Sequence, residues 1–485
     1  MKLLARTTAL FWCLVAVGAR SDLTYKPVLP SVFEPPQVFQ NANLVHIISL
    51  EKNYAKENIN VQIENVDKYP QNEYYVPFNA DLISRVGGFE VKDRKNQDIG
   101  NFEVDMIDVS SESDVQYFRI KLPAPLDPGA QQTLGISFFV LKAYSPLPAA
   151  IQQTDKQYLV YSFNTYAPSA YPTIKQKTEV KTSSVAENYT IINNENPTKS
   201  GSKLTYGPFL NVAAGSIQPA KVRFEFTKPV LHVTDLERDV EVSHWGGNIA
   251  FEERYALFHR GANLSSHFDR VKWAQSAYYS PTTYALKELK FPLQPSSADP
   301  YYIDVIGNVS TSRFRSSKRE AMLETKPRYP VFGGWKYPFT IGWNADSGNL
   351  LRKSVGDGYV LRIPFLEGPK QSEGIEYENV RVRIVLPEGA TNVKFYTNIP
   401  QSSMTQNSID LQNTYLDTVG RTVLTLRTRN LVDEFSRNRE LTVTYDYPFL
   451  ASLRKPFVVF TTMLGIFIVM YIIGGLEVKI GSSKK

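Results

Sequence analysis

Cysteine is almost missing from this chain, since the one thiol in 485 residues is Cys13. It falls inside an apolar N-terminal run that reads as a removed leader, so the mature protein is expected to have none. Proteins exported into an oxidising space commonly carry disulfides, and without them a large packed core must supply the stability. The same absence excludes thiol catalysis, cysteine-ligated zinc and dithiol exchange. Histidine is also sparse: His46, His232, His244, His259 and His267 form no His-Glu-x-x-His pair or other tight ligand spacing. His259 and His267 are separated by Gly261, which argues against one helical face, and each histidine reads as a surface or structural residue.

No nucleophile elbow, phosphate-binding glycine loop or dinucleotide fingerprint occurs, and Gly87-Gly88, Gly246-Gly247 and Gly333-Gly334 read as turns. Asp-x-Asp, the pair that would hold a divalent cation on a sugar-phosphate donor, is absent as well. The nearest substitutes are Glu103-Val-Asp105, Glu112-Ser-Asp114 and Glu237-Arg-Asp239. All three read as solvated carboxylates, the last with Arg238 between them ready to neutralise it. No metal site, cofactor or catalytic residue is expected.

Charge is nearly balanced, 54 basic against 48 acidic residues, and no dense basic stripe is present, so nucleic acid is not an expected partner. The densest cluster is Arg313, Arg315, Lys318 and Arg319 around Phe314, which suits an exposed strand or loop before it suits phosphate or a protein partner. Trp335, Tyr337, Phe339 and Trp343 likewise suit a core before they suit a peptide or sugar groove.

Two apolar runs stand out. Residues 457–476 carry no charge, and twelve of the twenty are Leu, Ile, Val or Phe. As a helix at ~1.5 Å per residue the run covers about 30 Å, the thickness of a bilayer core. Insertion at about −0.3 to −0.6 kcal/mol per such residue is worth about −4 to −7 kcal/mol, which favours a membrane anchor (456–476) over a buried core helix. At the other end Lys2 and Arg6 precede an uncharged stretch, Thr7 to Ala19, too short to span but suited to a signal peptide (1–19), with cleavage after Ala19 or after Ser21. The leader delivers residues 20–455 to the lumen and leaves 477–485 as a short cytosolic tail. Charges flanking the anchor are close to a tie, Arg454 and Lys455 against Lys479, Lys484 and Lys485 with Glu477, so the leader sets the orientation.

The lumenal part reads as mostly β. Val222, Phe224 and Phe226, then Val380, Val382 and Ile384, then Leu441, Val443, Tyr445 and Tyr447 alternate at period two. Thirty prolines and 27 glycines are scattered, as turns between strands require. Its length predicts two or three domains. A polar stretch, 175–203, reads as a long loop, and the best boundary lies near Pro229. On either side His46-Ile-Ile-Ser-Leu50-Glu51 echoes His232-Val-Thr-Asp-Leu236-Glu237, which suggests two tandem β-rich domains, 20–228 and 229–455, with a further split near Gly356 compatible. Three Asn-x-Ser/Thr sequons, at Asn188, Asn263 and Asn308, are candidate glycosylation sites, Asn188 foremost; Asn196 is followed by Pro197 and does not qualify.

Longer strings carry a resemblance. Gly333-Gly-Trp-Lys-Tyr-Pro-Phe-Thr-Ile-Gly-Trp-Asn344, Ile384-Val-Leu-Pro-Glu-Gly-Ala390, Tyr415-Leu-Asp-Thr-Val-Gly-Arg421 and Asn430-Leu-Val432 are similar, in order and spacing, to the ribophorin I family, as is Arg238-Asp-Val-Glu-Val-Ser-His-Trp-Gly-Gly-Asn-Ile-Ala250. The resemblance implies a large single-span subunit of the oligosaccharyltransferase complex of the endoplasmic reticulum. In that complex a separate multi-span subunit moves the glycan from dolichyl diphosphate to acceptor asparagines. This chain would be non-catalytic, supporting assembly and handling nascent polypeptide, with two β-rich domains similar to the N-terminal domains of some zinc aminopeptidases. Animal relatives carry a long cytosolic tail, so the nine residues after Leu476 resemble fungal members instead and put ribosome contact through the tail in doubt. Two rivals stand beside this reading. A tethered aminopeptidase-like hydrolase lacks its metal motif here; a free-standing lumenal chaperone or receptor is distinguished by whether other subunits co-purify.

Overall fold

A computed structural model describes residues 28–29, 33–109, 114–279, 283–354, 356–414, 417–435 and 439–475. The expected leader, the expected tail and Glu112 lie outside them. The chain is mostly strand, ending in one long apolar helix.

In the first half β1 (Phe39–Leu50), β2 (Ala55–Asn65), β3 (Gln131–Val140), β4 (Tyr158–Asn164), β5 (Thr173–Thr182), β6 (Lys203–Val212) and β7 (Pro219–Glu225) build the core. Alternate residues of β1 and β2 are buried, because a strand's side chains point to opposite faces and one face carries Phe39, Leu44, Ile48, Ile59, Val61 and Ile63. The main sheet reads β6-β5-β1-β2-β3 at its centre, and only β1 and β5 run parallel, His46 opposite Thr178. A second sheet lies in the order Tyr144–Pro146, β4, β7, Ala186–Tyr189.

The second half repeats this plan with β8 (Leu231–Ser243), β9 (Asn248–His259), β10 (Lys336–Asp346), β11 (Gly358–Pro364), β12 (Glu376–Glu388), β13 (Arg421–Val432) and β14 (Glu440–Asp446). Its main sheet reads β13-β12-β8-β9-β10, again with a single parallel pair among these, β8 with β12, His232 opposite Glu376. Its second sheet runs Leu351–Lys353, β11, β14, Thr391–Thr397. Strand for strand the two orders correspond. The six-residue echo is not the trace of that correspondence, since His46 stands four residues before the end of β1 and His232 eleven before the end of β8.

One apolar cluster runs from Phe39 to Val230; the other runs from Leu231 to Ala451 and borrows Tyr54, Phe139 and Leu141 from the first half. The seam between them is specific. Asn53 donates to the Leu231 carbonyl at 2.7 Å, and the Asn430 amide donates to the Ser84 and Val86 carbonyls at 2.8 and 2.9 Å. A Cβ on Gly87 would lie 1.8 Å from the Asn430 carbonyl oxygen, so only glycine lets the backbones meet there. Gly87 and Gly88 were expected in a turn; they lie in the strand Val86–Asp93, where this close approach explains them. Tyr54 donates to Asp433 at 2.6 Å, and its ring meets Phe139 edge-on.

The polar stretch 175–203 is not a loop. It contains most of β5, a central strand, together with Ala186–Tyr189 and Thr198–Ser200. It escapes an apolar pattern because its buried face is made of Thr173, Gln176, Thr178 and Thr182 beside Val180, and Thr178 satisfies its hydroxyl on the Thr165 carbonyl at 2.5 Å.

The chain ends in α1 (Arg454–Gly474), which begins two residues before the expected anchor. Pro456 in the first turn costs nothing there, because that N–H has no intrahelical partner. At ~1.5 Å per residue its 21 residues span about 31 Å, and none is buried. Lys455 pairs with Asp417 at 2.8 Å and Ala451 packs on Gly389, so α1 is joined to the second half without a free linker.

The main strands of the second half all run between two fixed ends. Leu231, Glu376 and Val432 lie toward the seam, while Ser243, Glu388 and Arg421 lie toward α1. At ~3.3 Å per residue the 13 residues of β8 or β12 make that distance about 43 Å.

Candidate functional site

Of the carboxylates singled out in the sequence, Glu103, Asp105, Glu237 and Asp239 are held in ion pairs. Asp105, on the strand Glu103–Val109, meets Arg119 at 2.8 Å and Lys121 at 3.2 Å; burial raises its pKa, but those two cations outweigh it and hold it below the usual range. Glu103 pairs with Lys121 at 2.9 Å and Asp114 is exposed. Glu237 and Asp239 face solvent on β8 and are neutralised from the neighbouring strand by Arg254, at 3.1 and 2.6 Å. Arg238, expected to do this, points to the opposite face, as period-two alternation requires. There it is fully buried against Glu253, which also accepts from Tyr255 at 2.5 Å, and the guanidinium lies over Phe251 and Trp343.

Three histidines are buried and bonded. His232 has Glu376 and Glu378 at 3.0 Å on its two ring nitrogens, beside Lys142. His259 meets the Tyr284 carbonyl at 2.6 Å and accepts from the Gly261 N–H, and burial holds its pKa down at about 4. His46 meets Glu57 at 2.9 Å. His244 is half-buried against Tyr359 and Tyr445, which lowers its pKa, and His267 is exposed. Among the described residues no group of three or more His, Cys, Asp or Glu side chains is placed to hold a metal ion.

Arg313, Arg315, Lys318 and Arg319 are exposed, with Arg315 paired to Glu324 at 3.0 Å. Tyr337, Phe339 and Trp343 are core residues of β10, and Trp335 is partly buried against them. Asn188, Asn263 and Asn308 are all exposed, each on a short edge strand.

A groove of about 590 Å³ opens in the first half. Phe78, Tyr117, Phe163, Tyr166 and Pro168 form its walls, with Gln37, Asn79, Asn164 and Lys221 as polar points. On its floor Glu57 accepts from Tyr161 at 2.6 Å and bonds His46 Nε2 with its other oxygen, while the buried His46 Nδ1 has no hydrogen-bond partner. Burial and then the Glu57 charge push the Tyr161 hydroxyl well above its ordinary value, so it stays a donor. Rings, prolines and a few amides suit holding an extended chain. Sequence reasoning misses the groove, because its walls come from loops and strands far apart in the chain.

Comparison with known proteins bears on the whole length. Residues 39–474 match the family described as Ribophorin I. The dolichyl-diphosphooligosaccharide-protein glycosyltransferase subunit 1 of Caenorhabditis elegans is 31% identical over 441 residues, covering 91% of this chain and 73% of its own length. The subunit 1 of Schizosaccharomyces pombe is 30% identical over 403 residues (82% of this chain, 86% of its own), and subunit 1B of Arabidopsis thaliana 29% over 452 (90% and 93%). Among solved structures, yeast LTA4 hydrolase is similar at 10% identity with a TM-score of 0.29 over 42% of this chain and 31% of that one, a likeness too slight to assign anything. The sequence match begins at the first residue of β1 and ends at the last of α1, and on that ground the chain belongs to the ribophorin I family.

Proposed function

We propose that this protein is a non-catalytic subunit of an oligosaccharyltransferase complex in the endoplasmic reticulum membrane, which moves a preassembled glycan from dolichyl diphosphate to Asn-x-Ser/Thr of nascent polypeptides. The observation that carries the reading is the match along 39–474 with relatives named as subunit 1 of that glycosyltransferase. The ion pairs of Glu103, Asp105, Glu237 and Asp239 and the bonds of the buried histidines support it. In this reading α1 tethers the chain beside a multi-span catalytic subunit and the two tandem domains, 20–228 and 229–455, stand in the lumen. The groove of the first domain guides acceptor polypeptide.

The test is glycan transfer by purified complex, normalised to intact assembly. Replacing Glu103, Asp105, Asp114 or His244 singly by Ala should leave activity within a few-fold, because losing a group that takes part in proton transfer costs roughly 100-fold or more. Deleting residues 457–476 should release the chain from the complex. A thousand-fold loss from one point substitution, with assembly unchanged, would place this subunit in the chemistry. Purification in mild detergent without other subunits would favour a free-standing chaperone or receptor. In intact microsomes, external protease should spare the β domains, and endoglycosidase should shift the chain's gel mobility through glycans on one to three of Asn188, Asn263 and Asn308.

A further inference from the structure

We propose that the junction between the second half and α1 is a collar seated in the headgroup layer of the bilayer, so that the protein stands on the membrane in a fixed pose. This rests on the reading that α1 spans the membrane. Four large apolar side chains surround the start of the helix in the open: Trp245 is 65% exposed, Phe449 71%, Leu450 80% and Leu453 39%. They come from two separate segments, the turn joining β8 to β9 and the short helix Phe449–Ser452, and the Trp245 indole N–H donates to the Ser452 carbonyl at 2.8 Å. That bond fixes the tryptophan to the root of the anchor. Its flat, amphipathic ring with a polar edge already satisfied suits the boundary between headgroups and acyl chains. Arg454 in the first turn of α1 is exposed at the same level, where a basic side chain reaches phosphates, while Lys455 is held by Asp417.

A lipid surface is the occupant this patch fits. It is continuous with α1, which starts at the residue after Leu453 and buries none of its own side chains in this chain. The Lys455–Asp417 pair and the packing of Ala451 on Gly389 remove the flexible linker that would let the domains swing. With the collar at the headgroups, the seam with the first half lies about 43 Å away along the strands of the main sheet of the second half.

The experiment places the full chain in phosphatidylcholine nanodiscs with and without bromine on the acyl chains just below the headgroups, and compares it with Trp245→Phe. The wild-type-minus-variant emission isolates Trp245. Trp273 and Trp335, which cluster at the opposite end of β9, report on the far end of the same half. A drop of roughly two-fold or more in the Trp245 emission in brominated discs, with the emission of the Trp245→Phe chain from Trp273, Trp335 and the buried Trp343 unchanged, is expected for an indole in the interface. Equal Trp245 emission in both discs, with the chain incorporated, overturns the collar and leaves the anchor standing. Failure of the chain to incorporate into discs overturns both. Trp245 unquenched in discs yet shielded from aqueous iodide only within the purified complex assigns the patch to a protein partner and overturns the lipid proposal.

Discussion

Where β2 of the first half buries Glu57, an imidazole joins a tyrosine hydroxyl on it; where β9 of the second half buries Glu253, the guanidinium of Arg238 joins the Tyr255 hydroxyl, roofed by Phe251 and Trp343 stacked 5.2 Å apart. Strand order and the single parallel pair are the same around both. The difference teaches that the topology is specified by backbone pairing and period-two burial, while the polar centre is free to change with the work each half does. A centre filled by an arginine and two stacked rings makes a solid strut between seam and anchor. A centre closed by a lighter network leaves the groove open above it.

Breaking the heavier centre should show the largest effect. Arg238→Met leaves Glu253 buried without its cation and should cost about 3–5 kcal/mol, whereas Arg238→Met with Glu253→Leu should recover much of that loss. Glu57→Gln, which turns one acceptor of the lighter centre into a donor facing a partner, should cost about 1–3 kcal/mol. Thermal unfolding of the full chain in detergent checks all three, and equal costs for the two single substitutions would erase the contrast.

Acid should weaken the second half at its seam end. His259 is neutral and its folded pKa, about 4, lies below the unfolded value of about 6.5. Its contribution is therefore fully present above pH ~6.5 and is lost as pH falls toward 4, on the order of 3 kcal/mol in all. Unfolding followed from pH 7 to 4 should show this slope, and His259→Gln should flatten it.

The seam itself gives a smaller effect. Gly87→Ala drives a methyl into the Asn430 carbonyl and should cost about 1–3 kcal/mol, with new protease cleavage between the halves as its signature. Smallest of all, Lys56→Ala removes a half-exposed pair with Glu434 and should change stability by about 0–1 kcal/mol, less in high salt.

Much of the fold was legible from periodicity. Val222 and Phe224 are buried on β7, Val380, Val382 and Ile384 on β12, and Leu441, Val443 and Tyr445 on β14. What escaped was polar burial. Strand β5 hides threonines that bond carbonyls of neighbouring segments and a glutamine beside them, and Gly87-Gly88 looks like a turn because sequence carries no sign of a second backbone arriving from Asn430. Residue type and spacing correctly placed Tyr337, Phe339 and Trp343 in the core. They passed over Trp245, whose one signal was an indole beside two glycines in a hairpin turn, and they missed the groove, whose wall residues come from different sheets of the first half, Phe78 on Gln71–Asn79 and Tyr117 on Val115–Leu126 in one and Phe163 on β4 in another.

The parallel pairings bear on the chain while it is still being made. The partner of His46 is Thr178 and that of His232 is Glu376, so each main sheet waits for a strand more than 130 residues downstream before its middle closes. At a synthesis rate of roughly 5–20 residues per second that wait lasts about 7–30 s, during which the newborn β1–β2 hairpin offers an unpaired edge to anything extended nearby. Both main sheets draw all their strands from their own half, so the interval is met twice in succession rather than once at double length. A nascent chain of this kind is most exposed to mispairing just before residue 173 and again just before residue 376 emerge, and those are the two moments at which a folding helper would matter most.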